Sequence, residues 1–538
     1  MTHQPRPPEE DEVEWQEEME KDNESAKEDL FPKAKTMEEG DELMEEMISM
    51  ETLVDAIKNL KLKAAPGGDA ITNVAIANFP KKCLEILVAI FRTCSNWGHF
   101  PTSWKHAKIK MIAKPGRCVK DSQNYRPISL LSCVGKLFEK LLKKIIDHSN
   151  HTNATIPEFH SGFRRRRGTQ ETFFRLSESA SAAKKSKRVV IAATIDVDKC
   201  FDRLSHSVMR YRLRRTPLPK KLVRLLSSFL RDRKLTVYEG STRSKTVTMK
   251  SGVPQGAILS PDIFTITSKD TPIANDEDEG GSQFADDVST WASGRTAREA
   301  IYILKRRLAT FEKWAKKWSL YPSASKSFLI CFTNSPTERK IAEESEILLL
   351  GNQVSWTKEI KLLGANFDDK LDWSGHIDSI IKKCHPKVFS LCKLNRRMNF
   401  SNRKLILDTF DSLVSSAFHY SAPAFLNMSE KNWLKVENFY NRSLKCIFDL
   451  PPYMSSLRAR ELFRSRSFRQ QIEDRATSRI GDIITSTGFI SDMVYGHAKL
   501  EGKDTVLDRV FRIMGIEREL DCNFCPFDAE HDCVLNEL

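Results

Sequence analysis

No apolar stretch in this 538-residue chain approaches the roughly 18 residues that a membrane-spanning helix requires. Residues 1–10 are polar and proline-rich, and they lack the apolar core of a secretory leader. Cysteine is sparse: there are 12, most of them isolated, such as Cys83, Cys94, Cys118 and Cys133. Without an export signal, that scatter points to reduced thiols in an intracellular protein rather than a disulfide framework. Internal repeats are missing, and so are long low-complexity tracts beyond an acidic head.

Charge is plentiful and uneven. The chain is 40% hydrophobic and 29% charged, which reads as globular, and its length suggests several domains. Residues 1–50 hold 18 acidic and 5 basic side chains, a net of −13. The remaining residues carry 80 basic against 54 acidic groups, a net of +26. A body that basic suits a polyanionic partner, nucleic acid first, with a merely solvated basic surface as the alternative.

The acidic head, residues 1–50, is poor in β-branched and aromatic residues and is expected to be disordered or loosely helical, with order beginning near Met50. A helix is expected over residues 81–97 and a short strand over 108–112. The β-branched run at 187–195 favours a buried strand that delivers Asp196 at its end. Residues 205–231 read as helical, and 234–238 with 245–249 as a hairpin. Residues 275–281 read as a loop, 297–318 as a helix, 327–332 and 360–363 as strands, and nearly everything beyond 375 as helical.

The chemistry centres on Phe284-Ala285-Asp286-Asp287, where two adjacent carboxylates stand between apolar flanks. Such a pair is either a solvated turn or a cation site, because neighbouring carboxylates repel and lose hydration on burial. A second acidic segment, Asp196 to Asp202, and the turn-like Ser251-Gly252-Val253-Pro254-Gln255-Gly256 favour the cation. Nucleotidyl transfer uses divalent ions held by a few carboxylates from different elements, and Asp196, Asp286 and Asp287 supply that set. An antiparallel sheet backed by helices would bring them together across the 90 residues that separate Asp196 from Asp286.

Over residues 50–370, and more weakly to about 480, the chain resembles the reverse transcriptases of non-LTR (LINE-like) retrotransposons, Jockey and CR1-like groups in particular. Asn124-Tyr125-Arg126-Pro127-Ile128-Ser129-Leu130 matches that family's NYRPISLL motif, and Lys61-Leu62-Lys63-Ala64-Ala65-Pro66-Gly67-Gly68-Asp69 looks like its lysine-rich KAPGPDGI entry segment. Gly162 to Thr169 is similar to its fingers motif, with His160-Ser161 in place of the usual Gln-Phe. Asp196 with Phe201-Asp202, residues 251–261, Phe284 to Asp287, and Ser325-Lys326 fit motifs A to D in order. Leu362-Leu363-Gly364 followed by Leu371-Asp372-Trp373 resembles the segment between palm and thumb.

The resemblance implies an α+β right-hand polymerase: fingers, a palm with a ferredoxin-like antiparallel sheet, then a helical thumb. The expected divisions are an extension with fingers at 51–190, a palm at 191–370, a thumb at 371–480 and a tail at 481–538. It implies Mg2+, with Mn2+ as a substitute, at Asp196, Val197, Asp286 and Asp287. The implied partners are an RNA template, a DNA primer or RNA–DNA hybrid, and dNTPs, and the nucleus is the expected place of work. Phe201 would lie under the incoming sugar and reject a 2′-hydroxyl, unless it is an ordinary core aromatic. Gln255, with flexible Gly252 and Gly256, would let the backbone approach the nascent pair. Lys326 would protonate or neutralise leaving pyrophosphate, unless it is a plain surface lysine. Arg126 and Arg164, at the head of the run Arg164-Arg165-Arg166-Arg167, suit nucleotide phosphates, with nuclear import as the competing use of the run.

Near the C-terminus, Cys522, Cys525, His531 and Cys533 offer either a zinc site or four free side chains, and the single residue between His531 and Cys533 is tighter than usual. A complete element would carry an apurinic-type endonuclease of roughly 200 residues ahead of the polymerase. Only about 50 residues precede the resemblance, so self-sufficient retrotransposition is not expected of this chain. The competing function is a catalytically silent RNA- or ribonucleoprotein-binding protein that kept the fold.

The basic body makes one prediction. Affinity for single-stranded RNA should fall at least about tenfold between roughly 50 and 200 mM salt, as counterions are released. A flat salt titration would show that the +26 body is not the nucleic-acid surface.

Overall fold

The structure is a computed structural model. It describes Met19 and residues 41–486, apart from 117, 119, 122, 123, 154, 155, 199, 274–278, 399, 400 and 464. The described chain forms two compact units, each assembled from three separate stretches. No described helix is long and apolar enough to cross a membrane.

The first unit comprises Met1–Arg165, Val197–Pro272 and Thr310–Pro322. Helix begins earlier than the composition suggested: Asp41–Met47 is helical, and Met44 and Ile48 are buried. Met44 and Ile48 anchor a segment that also carries Asp41, Glu42, Glu45 and Glu46. The sheet of this unit runs Tyr125–Leu130, His106–Ala113, Lys234–Glu239, Thr242–Arg243, with Val247–Thr248 also paired to Lys234–Glu239. Alternation along His106–Ala113 buries Ala107 and Ile109 on one face. The aromatic core includes Phe91 stacked on Phe138 at 4.8 Å, and Phe100 edge-on to Phe229 at 5.2 Å. The helical stretch at 205–231 is two helices, His206–Arg214 and Lys220–Leu230, because Pro217 and Pro219 interrupt the backbone hydrogen bonding between them.

The second unit comprises Arg166–Asp196, Ile273–Ala309 and Ser323–Leu538. Its sheet runs Ser355–Trp356, Phe328–Phe332, Val189–Asp196, Asp287–Gly294, Glu279–Phe284. Apart from the two-residue edge strand, all neighbours are antiparallel. Counted in chain order, the four main strands lie 4-1-3-2, which is the ferredoxin-like arrangement. The β-branched run forms the central strand, Val189–Asp196, and its first five residues are buried. The expected loop at 275–281 is already strand from Glu279. Glu279 is buried there because Arg306 and Arg307 from the helix Ala297–Lys317 neutralise it, Arg307 at 2.8 Å.

The helix Thr169–Lys185 is buried on every side despite its polar composition. Glu171 is fully buried and accepts from Arg167 Nη1 at 2.8 Å and Arg175 Nη2 at 2.6 Å. Phe173 meets Phe367 and Tyr420 at 5.9 and 5.6 Å between ring centres. Beyond the hairpin of Glu359–Leu362 and Ala365–Asp368, the described chain is helical: Ser374–Arg397, Arg403–Phe410, Glu430–Ile447 and Phe468–Ser486 are its longer helices. The Asp368 carboxylate accepts from the backbone N–H groups of Lys370, Asp372 and Trp373 at 2.8–3.0 Å, and so folds the turn into the first of them.

Removing one partner of a buried ion pair leaves an uncompensated charge. Glu171→Gln should therefore lower the unfolding free energy by about 3–5 kcal/mol, read from urea melts. An unchanged midpoint would show that Arg167 and Arg175 do not depend on this carboxylate.

Candidate active site

Pairing in the second unit brings the acidic residues together. Asp196, the last residue of the central strand, stands directly opposite Asp287, the first residue of its neighbour. Asp286 occupies the two-residue turn of the hairpin that joins Glu279–Phe284 to Asp287–Gly294. The other turn residue, Ala285, has a φ of 59°, in the left-handed region. Gln283, 2% exposed, donates from Nε2 to the Ala285 carbonyl at 2.9 Å and pins the turn.

The end of the central strand is fixed from a second side. Ser323 N–H donates to the Asp196 carbonyl at 2.9 Å, and Asp196 N–H donates to Ser327 Oγ at 3.3 Å. Between those serines, Lys326 Nζ lies 3.5 Å from Asp196 Oδ2 and offsets part of the acidic charge. Gln283, Ser323 and Ser327 hold the acids in place, and sequence reading assigned them no role. Their only signal was position: Gln283 adjoins Phe284, and Ser323 and Ser327 flank Ser325-Lys326.

Loss of hydration on the protein side pushes Asp287 up to about 6, with repulsion from Asp286 and Asp196 adding to the shift. Asp286 is raised by the same loss of hydration, with Asp196 contributing. These are hard oxygen donors of the kind that bind Mg2+, and a cation would relieve their repulsion. Among the described residues no three His, Cys, Asp or Glu side chains are already arranged to hold a metal. A small divalent cation here would take further oxygens from water or substrate phosphate, as Mg2+ commonly does. Val197 can offer only its carbonyl; it is buried and bridges to Pro322 within the first unit.

The residues expected on the nucleotide side gather in the first unit. Gln255 donates from Nε2 to Asp202 Oδ1 at 2.9 Å, and its carbonyl accepts from Ser129 N–H at 2.7 Å. Phe201 lies 4.3 Å from Phe264 and 6.3 Å from Phe163 between ring centres. The two glycines serve the protein's own packing. Gly252 has φ +76°, and a Cβ on it would sit 2.8 Å from the Phe201 carbonyl oxygen and from the Asp202 Cα. Gly256 has φ +130°, and a Cβ on it would sit 2.6 Å from the Ser129 carbonyl oxygen. At both positions the absent Cβ leaves room for neighbouring backbone.

Of the arginine run, Arg165 and Arg166 are exposed. Arg164 donates to the carbonyls of Pro157 and His160, at 2.8 and 3.1 Å, and Arg167 is committed to Glu171. Arg126 is exposed on the strand Tyr125–Leu130. His160, at the family's Gln position, is fully buried, and burial pushes it down to about 3. Cys522, Cys525, His531 and Cys533 lie outside the described residues.

A ferredoxin-like sheet with facing carboxylates at the ends of its two central strands is consistent with the palm of a right-hand polymerase fold. Residues 112–367 match the family described as reverse transcriptase (RNA-dependent DNA polymerase), and over that stretch the chain is similar to it. It is similar to the RNA-directed DNA polymerase from mobile element jockey of Drosophila funebris, 30% identical over 76% of this chain and 44% of that protein. The jockey protein of Drosophila melanogaster is 28% identical over 76% of this chain and 44% of its own length. The probable RNA-directed DNA polymerase from transposon BS of the same species is 28% identical over 81% and 48%. The chain thus spans about half the length of these curated relatives. A telomerase structure from Candida tropicalis aligns over 83% of this chain and 69% of its own, with 12% identity and a TM-score of 0.38, too loose to bear on detail.

The acidic turn carries a pH-dependent penalty. A carboxyl with a folded value near 6 against the ordinary 3.8 opposes folding once ionised: nothing is lost below about 3.8, and the full cost is present above about 6. Asp287→Asn should therefore melt higher than the parent in EDTA at about pH 7.5, with the gap closing as pH falls below about 4. Added Mg2+ should raise the parent's Tm more than the variant's. A gap that does not change with pH would contradict the assignment.

Proposed function

We propose that the chain is an RNA-directed DNA polymerase, which adds dNTPs to a primer 3′-hydroxyl along an RNA template. The observation that carries this reading is the register that sets Asp196 opposite Asp287, with Asp286 in the adjoining turn. When bound, divalent ions, Mg2+ first and Mn2+ as a substitute, would activate the primer hydroxyl and offset charge on the transferring phosphate. Asp196, Asp286 and Asp287 are the residues that would hold them, with the Val197 carbonyl beside Asp196.

The other roles rest on this chain's own side chains. Lys326, 3.5 Å from Asp196, would neutralise or protonate leaving pyrophosphate. Phe201, wedged by Phe264, presents a ring of fixed position against which a ribose 2′-hydroxyl would collide. Gln255 is held by Asp202 and Ser129 for the nascent pair. Arg126, with exposed Arg165 and Arg166, suits phosphate oxygens. An RNA template, a DNA primer or hybrid, and dNTPs are the partners this reading requires. The jockey-like relatives support it, and we place its action in the nucleus.

Primer extension on poly(rA)/oligo(dT) with Mg2+ tests the proposal. Asp286→Asn should reduce incorporation about a hundredfold or more, equivalent to about 2.7 kcal/mol of barrier, while RNA binding persists. Phe201→Ala should admit rNTPs. No incorporation by folded parent protein, with RNA binding intact, would leave a silent RNA-binding protein instead.

A further inference from the structure

The helix Cys133–Asn153 buries a charged residue in the middle of its apolar stripe. Glu139 is 2% exposed, beside Leu137, Phe138, Leu141 and Leu142, which are fully buried. An ionised carboxylate in such a place must be paired and hydrogen-bonded. Its Oε2 accepts from Ile258 N–H at 2.6 Å and from Leu259 N–H at 3.1 Å. Arg233, itself 1% exposed, attracts its charge without a direct ion pair.

Those two N–H groups lie just ahead of the helix Ser260–Thr267, at its cap residue Leu259 and the residue before it, where the helix supplies no partner for them. The carboxylate therefore acts as an N-terminal cap supplied from a distant helix. One turn further along Cys133–Asn153, Lys143 Nζ lies 2.5 Å from Asp262 Oδ1, and the Asp262 side chain is 4% exposed. Two consecutive turns of one helix thus grip the start of another.

The gripped residues follow directly on Pro254-Gln255-Gly256-Ala257, and the Ser260 hydroxyl donates back to the Pro254 carbonyl at 3.0 Å. Gln255 in turn reaches Asp202, next to Phe201. The turn has no lateral freedom: Gly256 abuts Ser129 on one side, and Glu139 holds the exit on the other. Loss of either anchor would let Gln255 shift relative to Phe201.

We propose that Glu139, backed by Lys143, is a positioning residue that sets Gln255 and so governs dNTP binding and sugar selection. The proposal rests on the polymerase reading of Gln255 and Phe201. Glu139→Gln keeps the shape but removes the charge facing Arg233. It should raise the KM for dNTP about five- to tenfold and increase rNTP incorporation, with kcat at saturating dNTP within about twofold. Glu171→Gln, a buried ion-pair variant in the second unit, should lose stability with KM unchanged. In hydrogen exchange, Glu139→Gln should speed residues 251–262 and leave 279–294 as in the parent.

Unchanged exchange at 251–262 would overturn the clamp. Faster exchange with unchanged KM and sugar discrimination would overturn the positioning role. An inactive parent enzyme would sink the polymerase reading alone, because exchange would still decide the clamp. If Glu139→Gln does not fold, Lys143→Met gives the same readouts, with smaller shifts expected.

Discussion

Mutual repulsion among Asp196, Asp286 and Asp287 is the constraint around which the second unit is built. Three carboxylates at one end of a sheet would drift apart unless the backbone fixed them. The antiparallel register supplies that fixity, since a slip of one residue would send each side chain to the opposite face. Gln283, Ser323 and Ser327 act on the same few atoms through backbone bonds, so no acidic side chain is used to hold the acids in place. Lys326 softens the repulsion without removing it.

The first unit meets a different requirement, that of bringing loops close. Gly252 and Gly256 are where backbone meets backbone, and Asp202, Gln255 and Ser129 close the remaining gaps with hydrogen bonds. Its charges are paired over long sequence separations: Glu139 with the turn before Ser260–Thr267, and Lys143 with Asp262. Charged residues inside an apolar stripe mark the places where one segment governs another.

Much of the framework was readable from residue pattern. The run at 187–195 announced the central strand because, after Lys187 and Arg188, its apolar and β-branched residues suit a strand buried on both faces. The acids were readable because two of them are adjacent and the third ends that strand. Thr169–Lys185 was not readable as a core helix: Glu171, Arg175 and Glu178 give it the composition of a surface helix, and the ion pair between Glu171 and Arg175 accounts for the burial of those two. Arg164 gave the same difficulty in reverse. A guanidinium in a basic run looks free for phosphate, yet its carbonyl partners at Pro157 and His160 depend on a local loop that periodicity does not report. The glycines of 251–256 were correctly marked as close-approach points, but sequence alone could not say what approaches.

Ala285 gives the acidic turn a property that glycine would not. An alanine at φ 59° carries a standing strain of about 1–2 kcal/mol, which glycine would not pay. Glycine would also open mirror-image backbone wells, and Asp286 could then point in several directions. The methyl group closes those wells. The turn therefore behaves as a loaded spring with one resting direction, and the heading of Asp286 is decided by its neighbour's backbone before any ligand arrives.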